Sequence, residues 1–161
     1  MISKEFRKIL QTIYPLLEDF PSPWAVTGSL GFALQGLETA VNDVDLQTDR
    51  AGAYEMERRL SLYRVRPVAF SESERIRSHF GELEIRGIKV EVMGDVQKRL
   101  PDGRWEDPVE VALHRRWVIW KGMRLPVLSL EYEARAYRIM GRNEKAQMLE
   151  NWMEEKRRQG K

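Results

Sequence analysis

From Val41 to Thr48 apolar and polar side chains alternate residue by residue. Val41, Asp43, Asp45 and Gln47 fall on one side; Asn42, Val44, Leu46 and Thr48 fall on the other. A period of two is the pattern of a β-strand, and this strand carries two carboxylates on a single face. Such a strand belongs in a sheet. Both helical and strand-like stretches surround it, so the chain reads as an α/β (α+β) body.

Residues 2–20 set Ile2, Phe6, Ile9, Leu10, Ile13, Leu16, Leu17 and Phe20 at helical spacing, and Pro15 predicts a kink or a break there. Phe20-Pro21-Ser22-Pro23 ends that element, because residues before proline are driven out of the α region. Trp24–Thr27 reads as a short strand, and Gly28-Ser29 turns the chain into a helix expected over Leu30–Leu37. A helix over 51–63 and a strand over Tyr63–Phe70 follow. His79–Ile85 and Ile88–Met93, joined by Arg86-Gly87, form a hairpin pattern, as do Trp117–Trp120 and Met123–Val127 around Lys121-Gly122. Beyond residue 128 the pattern is helical: Ser129 is the expected N-cap of a first helix that Gly141 ends, and Asn143 the expected cap of a second running to about Arg157. The chain therefore reads as one unit over 1–161: an α/β body up to 128, then a C-terminal helical pair.

Composition narrows the function. The 161 residues carry no cysteine, which removes disulfides, thiolate metal sites and cysteine nucleophiles together. No apolar run reaches the roughly 20 residues that span a bilayer, and the N-terminus has no signal-peptide core, so no membrane partner and a cytoplasmic address are expected. A net charge of +2 does not by itself indicate a nucleic-acid partner.

The chemistry lies in Thr27-Gly28-Ser29 followed by Asp43-Val44-Asp45. Carboxylates at i and i+2 of a strand stand about 6.6 Å apart along the backbone, and their repulsion calls for a cation or hydrogen bonds. Hard oxygen ligands of this kind suit Mg²⁺. Glu91, the lone acid of Ile88-Lys89-Val90-Glu91-Val92, is the candidate third carboxylate of a two-metal site. Glycine at the strand end permits close backbone approach, and a helix start after it offers amides to a phosphate.

These residues, Trp24 to Asp49 above all, resemble the nucleotidyltransferases of the DNA polymerase β superfamily. Within it the chain is most similar to small stand-alone members: minimal nucleotidyltransferases and the lincosamide- or aminoglycoside-modifying type. Pro126 to Met153 resembles their C-terminal helical segment. The resemblance implies a mixed sheet flanked by helices and Mg²⁺-dependent transfer of a nucleoside monophosphate from an NTP, ATP among them, to an acceptor that is a small molecule, a protein or an RNA. It implies that Asp43 and Asp45 hold two Mg²⁺ ions, that Glu91 takes the third-carboxylate place, and that Gly28 and Ser29 hold the NTP phosphates. Arg142 and Lys145 become candidates for triphosphate contact, although the aspartate that relatives carry after the lysine is Ala146 here. Small relatives also imply a homodimer that completes the acceptor pocket.

Plainer readings stand beside these. The aspartates also suit a solvated strand end, Glu91 a surface pair with Lys89 or Arg86, and Asp49 a turn or cap. His79 is a second candidate base facing the acceptor, and His114 reads as structural. Trp105, Trp117, Trp120 and Trp152 read as core or interface, and Lys98-Arg99 as a solvated end. The competing function is a nucleotide-binding or toxin–antitoxin module with the same fold and little turnover.

Overall fold

The computed structural model describes residues 2–160. Ser3 caps α1 (Lys4–Leu16), which buries Phe6, Ile9, Leu10 and Ile13 on one face. Pro15 lies inside the last turn, and the helix runs through it to Leu16 instead of breaking at the proline as expected.

Seven strands follow: β1 (Trp24–Thr27), β2 (Val44–Thr48), β3 (Arg64–Glu72), β4 (Ile76–Ile85), β5 (Ile88–Lys98), β6 (Arg115–Trp120) and β7 (Met123–Leu128). They form one mixed sheet in the order β3-β4-β5-β2-β1-β7-β6. β2 runs antiparallel to β1 and parallel to β5, and β1 runs parallel to β7. Both expected hairpins form. Their turns, Arg86-Gly87 (φ +53° and +78°) and Lys121-Gly122 (φ +51° and +79°), are left-handed at both positions, as the twist of a tight hairpin requires.

Between the strands lie α2 (Gly28–Leu34), α3 (Arg50–Arg59), a 3₁₀ turn (Ser61–Tyr63) and α4 (Val111–His114); α5 (Leu130–Ile139) and α6 (Asn143–Gln159) close the chain. One face of the sheet packs Val44, Leu46, Val90 and Val92 against Ile9, Leu10 and Ile13 of α1 and Ala53 and Met56 of α3. On the other, Leu130, Ala134 and Tyr137 of α5 and Ala146 and Leu149 of α6 meet Phe32 of α2 and Leu37.

Several boundaries differ from the sequence reading. α2 begins at Gly28 and ends at Leu34, and β2 begins at Val44, leaving Asp43 in the segment that enters it. Asn143 is not a cap. Gly141 (φ +76°) and Arg142 close α5, their amides bonding Arg138 O (3.1 Å) and Tyr137 O (2.8 Å), so Arg142 takes the cap position and Asn143 becomes the first residue of α6. Among the described residues no helix is long and apolar enough to cross a membrane.

Candidate active site

β1 leads into α2 through Gly28, whose φ of +70° is left-handed. A Cβ there would stand 2.6 Å from Asp45 Oδ2, so glycine is required by contact as well as by conformation. The turn is held from far along the chain: Thr27 Oγ1 donates to Glu133 Oε1 (2.7 Å) and the Gly28 amide to Glu133 Oε2 (3.0 Å). That amide is therefore not available to a phosphate, which corrects half of the expectation for Gly28. Ser29, half-buried in α2, makes no side-chain hydrogen bond among the described residues and does not line the neighbouring cavity.

The register across β1, β2 and β5 sets Thr27 opposite Asp45 and Asp45 opposite Glu91. Asp43, just ahead of β2, completes the cluster: one carboxylate oxygen from each of Asp43, Asp45 and Glu91 lies within 4.8 Å of the others. Burial, then the charges of Asp43, Glu91 and Glu133, push the Asp45 carboxyl up to about 7. Lys89 partly answers the charge, its Nζ 3.3 Å from Glu91 and 3.9 Å from Asp43. The plain pairing expected for Glu91 is thus present as well, while Arg86 pairs instead with Glu5. Lys89 stands half exposed at the rim and only partly offsets the charge around Asp45. Clustered hard oxygen donors with a surplus of negative charge fit a divalent cation such as Mg²⁺.

Asp45 and Glu91 open on a cavity of about 320 Å³, which they floor with Gln47 and which Lys98, Tyr132 and Tyr137 wall, with Glu133 and Arg142 among its lining residues. Two larger clefts, about 660 Å³ beside the end of α1 and about 560 Å³ beside Pro108, contain none of the three acids. The Arg142 guanidinium lies 5.1 Å from the Tyr137 ring centre, and Lys145 Nζ lies 5.2 Å from Tyr137 and 5.8 Å from Phe32. Burial and then Arg142 lower the Lys145 pKa, while Glu133, Asp45 and Asp43 pull it back, so the ammonium feels the acid cluster.

His79 is elsewhere. It pairs across the sheet with Gly94, whose missing side chain makes room for Ala53 of α3, and its Nδ1 is 3.1 Å from Tyr54 Oη. It faces α3, on the side of the sheet away from Glu91, and the alternative base is ruled out by position. His114 stacks on Tyr132 with ring centres 4.4 Å apart, the structural role expected of it. Asp49 caps α3, accepting from the Gly52 amide at 2.7 Å. Trp120 and Trp152 pack against the core, whereas Trp117 is exposed beside Arg115 and Arg124.

Three residues of this site escaped the sequence reading. Lys98 is no solvated end: it is 3% exposed, donates to Tyr132 Oη (2.7 Å) and pairs with Glu106 (3.1 Å). A bulge at Asp95 (φ +51°) turns the following alternate residues, Val96 and Lys98, onto the cavity face that Glu91 and Met93 already occupy. Glu133 is 4% exposed, and its pKa is raised to about 7 by burial against the two hydrogen bonds it accepts. Its spacing four residues before Tyr137 on the apolar stripe of α5 was the available signal. Gln47, 9% exposed on the Asp45 face of β2, has a buried Oε1 with no partner.

No curated protein sequence matches the chain. Among solved structures, a Thermotoga maritima protein described as a candidate nucleotidyltransferase is 54% identical over 96% of both chains, with a TM-score of 0.85. A lincosamide antibiotic adenylyltransferase bound to lincomycin superposes with a TM-score of 0.53 at 14% identity, covering 92% of this chain and 98% of its own. ANT(2'')-Ia, in complex with adenylyl-2''-tobramycin, gives 0.51 at 14%, covering 92% and 97%; these two likenesses are of fold. The family profile of aminoglycoside-2''-adenylyltransferase matches residues 9–151, and with that span covered, and its acids and glycine turn in this arrangement, the chain belongs to that family of nucleotidyltransferases.

Proposed function

We propose that this nucleotidyltransferase moves a nucleoside monophosphate from an NTP to a hydroxyl of a small-molecule acceptor, with Asp43, Asp45 and Glu91 holding Mg²⁺. The convergence of the three carboxylates within 4.8 Å, with Asp45 and Glu91 on the cavity that the Gly28 turn also lines, carries this reading. The family match and the lincomycin and adenylyl-tobramycin of the two fold neighbours support a small, hydroxyl-rich acceptor. A module that only bound nucleotide would not need all three acids, which favours turnover.

The roles follow from the chemistry of each group. Arg142 and Lys145 take the β- and γ-phosphates, and the orphan amides at the start of α2 beyond Gly28, with the Ser29 hydroxyl, take further phosphate oxygens. When bound, Mg²⁺ neutralises charge at the α-phosphate and on the departing pyrophosphate. The acceptor oxygen bonds to the α-phosphorus as the bond from that phosphorus to the bridging oxygen of the pyrophosphate breaks. A Glu91 carboxylate oxygen receives the acceptor's proton. Lys89 shares Glu91 and Asp43 before the cation arrives and is set at the rim, where it can swing to solvent.

Calorimetric titration of each NTP with and without Mg²⁺, on the wild type and on Asp43→Asn/Asp45→Asn, tests this reading. Mg²⁺-dependent binding is expected in the wild type, with a loss of at least about a hundredfold in the double variant, because two charged ligands are removed. Unchanged affinity in a folded double variant would remove the acids from the site.

A further inference from the structure

Glu133 is a buried carboxyl, 4% exposed, with no ion pair: among the described residues no lysine or arginine nitrogen comes within 4.0 Å of it. Burying a carboxyl without an ion pair costs stability, so its retention needs a compensating use. Both oxygens have one: each accepts a hydrogen bond from the Thr27-Gly28 turn, which lies 105 and 106 residues away along the chain.

That turn is pressed against the acid cluster. Gly28 approaches Asp45 so closely that even a Cβ would collide with Oδ2, and Thr27 pairs with Asp45 across the β1–β2 ladder. The turn's left-handed backbone also decides which way the chain enters α2. A clamp on Thr27 and Gly28 therefore fixes the wall against which the Asp45 carboxylate rests and the direction of the amides that follow. Its source is α5, and α5 also supplies Tyr137, over which Arg142 and Lys145 sit.

We propose that Glu133 is a positioning residue: acting through Thr27 and Gly28, it locks the glycine turn against Asp45 and so couples the C-terminal helical pair to the acidic cluster. The proposal rests on the reading of that cluster as the nucleotidyl-transfer centre. It goes beyond that reading in giving the transfer site a dependence on a residue of α5 that acts through the glycine turn. Geometry, not charge, is what Glu133 contributes. A glutamine keeps an oxygen for the Gly28 amide, and its own amide can donate to the Thr27 hydroxyl.

The test uses the full chain as wild type, Glu133→Gln, Glu133→Ala and the near-isosteric Thr27→Val, which removes one bond without opening a cavity. Thermal melts establish which variants fold, calorimetry gives Mg²⁺–ATP affinity, and NMR gives the exchange rate of the Gly28 amide. Glu133→Ala and Thr27→Val are expected to weaken Mg²⁺–ATP by about tenfold, the weight of one or two well-placed hydrogen bonds. Glu133→Gln is expected to stay within about threefold of wild type, and the Gly28 amide to be protected in wild type and Glu133→Gln and exposed in Glu133→Ala. Wild-type affinity in folded Thr27→Val and Glu133→Ala would overturn the clamp, as would Glu133→Gln behaving like Glu133→Ala. Should the wild type bind no Mg²⁺–ATP, the functional reading fails. The clamp is then judged on exchange alone: a Gly28 amide unprotected in the wild type, or equally protected in Glu133→Ala, would sink it.

Discussion

Asp45 carries the electrostatic tension of the site, and pH exposes it. Its carboxyl titrates near 3.8 when unfolded and is pushed up to about 7 in the fold, first by burial and then by Asp43, Glu91 and Glu133. Between those values the native state binds more protons than the unfolded one, so stability falls as pH rises through about 4 to 7 and the loss is complete above 7. Glu133, also raised to about 7, acts in the same direction. His79 and His114, both lowered by burial, act oppositely below their ordinary value, so the comparison with Asp45→Asn is what isolates the carboxylate. In EDTA the melting temperature of the wild type is expected to drop from pH 5 to pH 8 more than that of Asp45→Asn, and Mg²⁺ to recover the loss at pH 8 in the wild type alone. Parallel pH profiles in the two proteins would contradict the assigned origin. Gln47 is the second residue under strain. Its buried Oε1 lacks a partner, a deficit of about 1–3 kcal/mol. Gln47→Met is accordingly expected to stabilise the free protein by about 1 kcal/mol, a rise of about 2–4 °C in a chain of this size. A lowered melting temperature would mean that the carboxamide is already satisfied.

What could be read ahead of the fold follows element by element. Asp43, Asp45 and Glu91 were legible because strand alternation and strand order suffice to bring them together, and the parallel β2–β5 register supplies the contact. The hairpins were legible for the same local reason: Arg-Gly and Lys-Gly between apolar runs permit the left-handed turn. Lys98 was not, because the bulge at Asp95 changes which face the rest of β5 presents, and no alternation rule anticipates an extra residue. The cap of α6 was misjudged because Arg142 is held by the closing turn of α5, a demand from the preceding helix that overrides the capping preference of Asn143. His79 lies on the α3 face because the β4–β5 register runs unbroken from Ile85 opposite Ile88 to His79 opposite Gly94, which sets it on the side away from Glu91; the shift comes only beyond it. Glu133 depends on a contact more than 100 residues away: its place on the stripe of α5 signals that it faces inward, but not which turn it meets.

At the scale of the molecule the two sides of the sheet are covered by different parts of the chain. α1 and α3 cover one; α5 and α6 supply Leu130, Ala134, Tyr137, Ala146 and Leu149 to a cluster that Phe32 of α2 and Leu37 complete. Ala25 and Leu128 are closed over by Tyr132 and Ala136 of α5, together with Val111. Each fully buried large side chain in such a cluster contributes about 1.5–3 kcal/mol, whereas a whole domain is stable by only about 5–15 kcal/mol. Losing Leu130, Tyr137 and Leu149 alone would consume most of that margin, before the exposure of Phe32, Leu37 and Leu128 is counted. The boundary at residue 128, which the sequence pattern suggests, is on this view a change of pattern and not a seam between independent units. A fragment of residues 1–128 is expected to lack a cooperative thermal transition, or to melt far below the full chain, and to show no protection of the Gly28 amide. A cooperative melt near the temperature of the full chain would make the body self-sufficient, and would confine the role of α5 and α6 to holding Arg142, Lys145 and Glu133 against the acids.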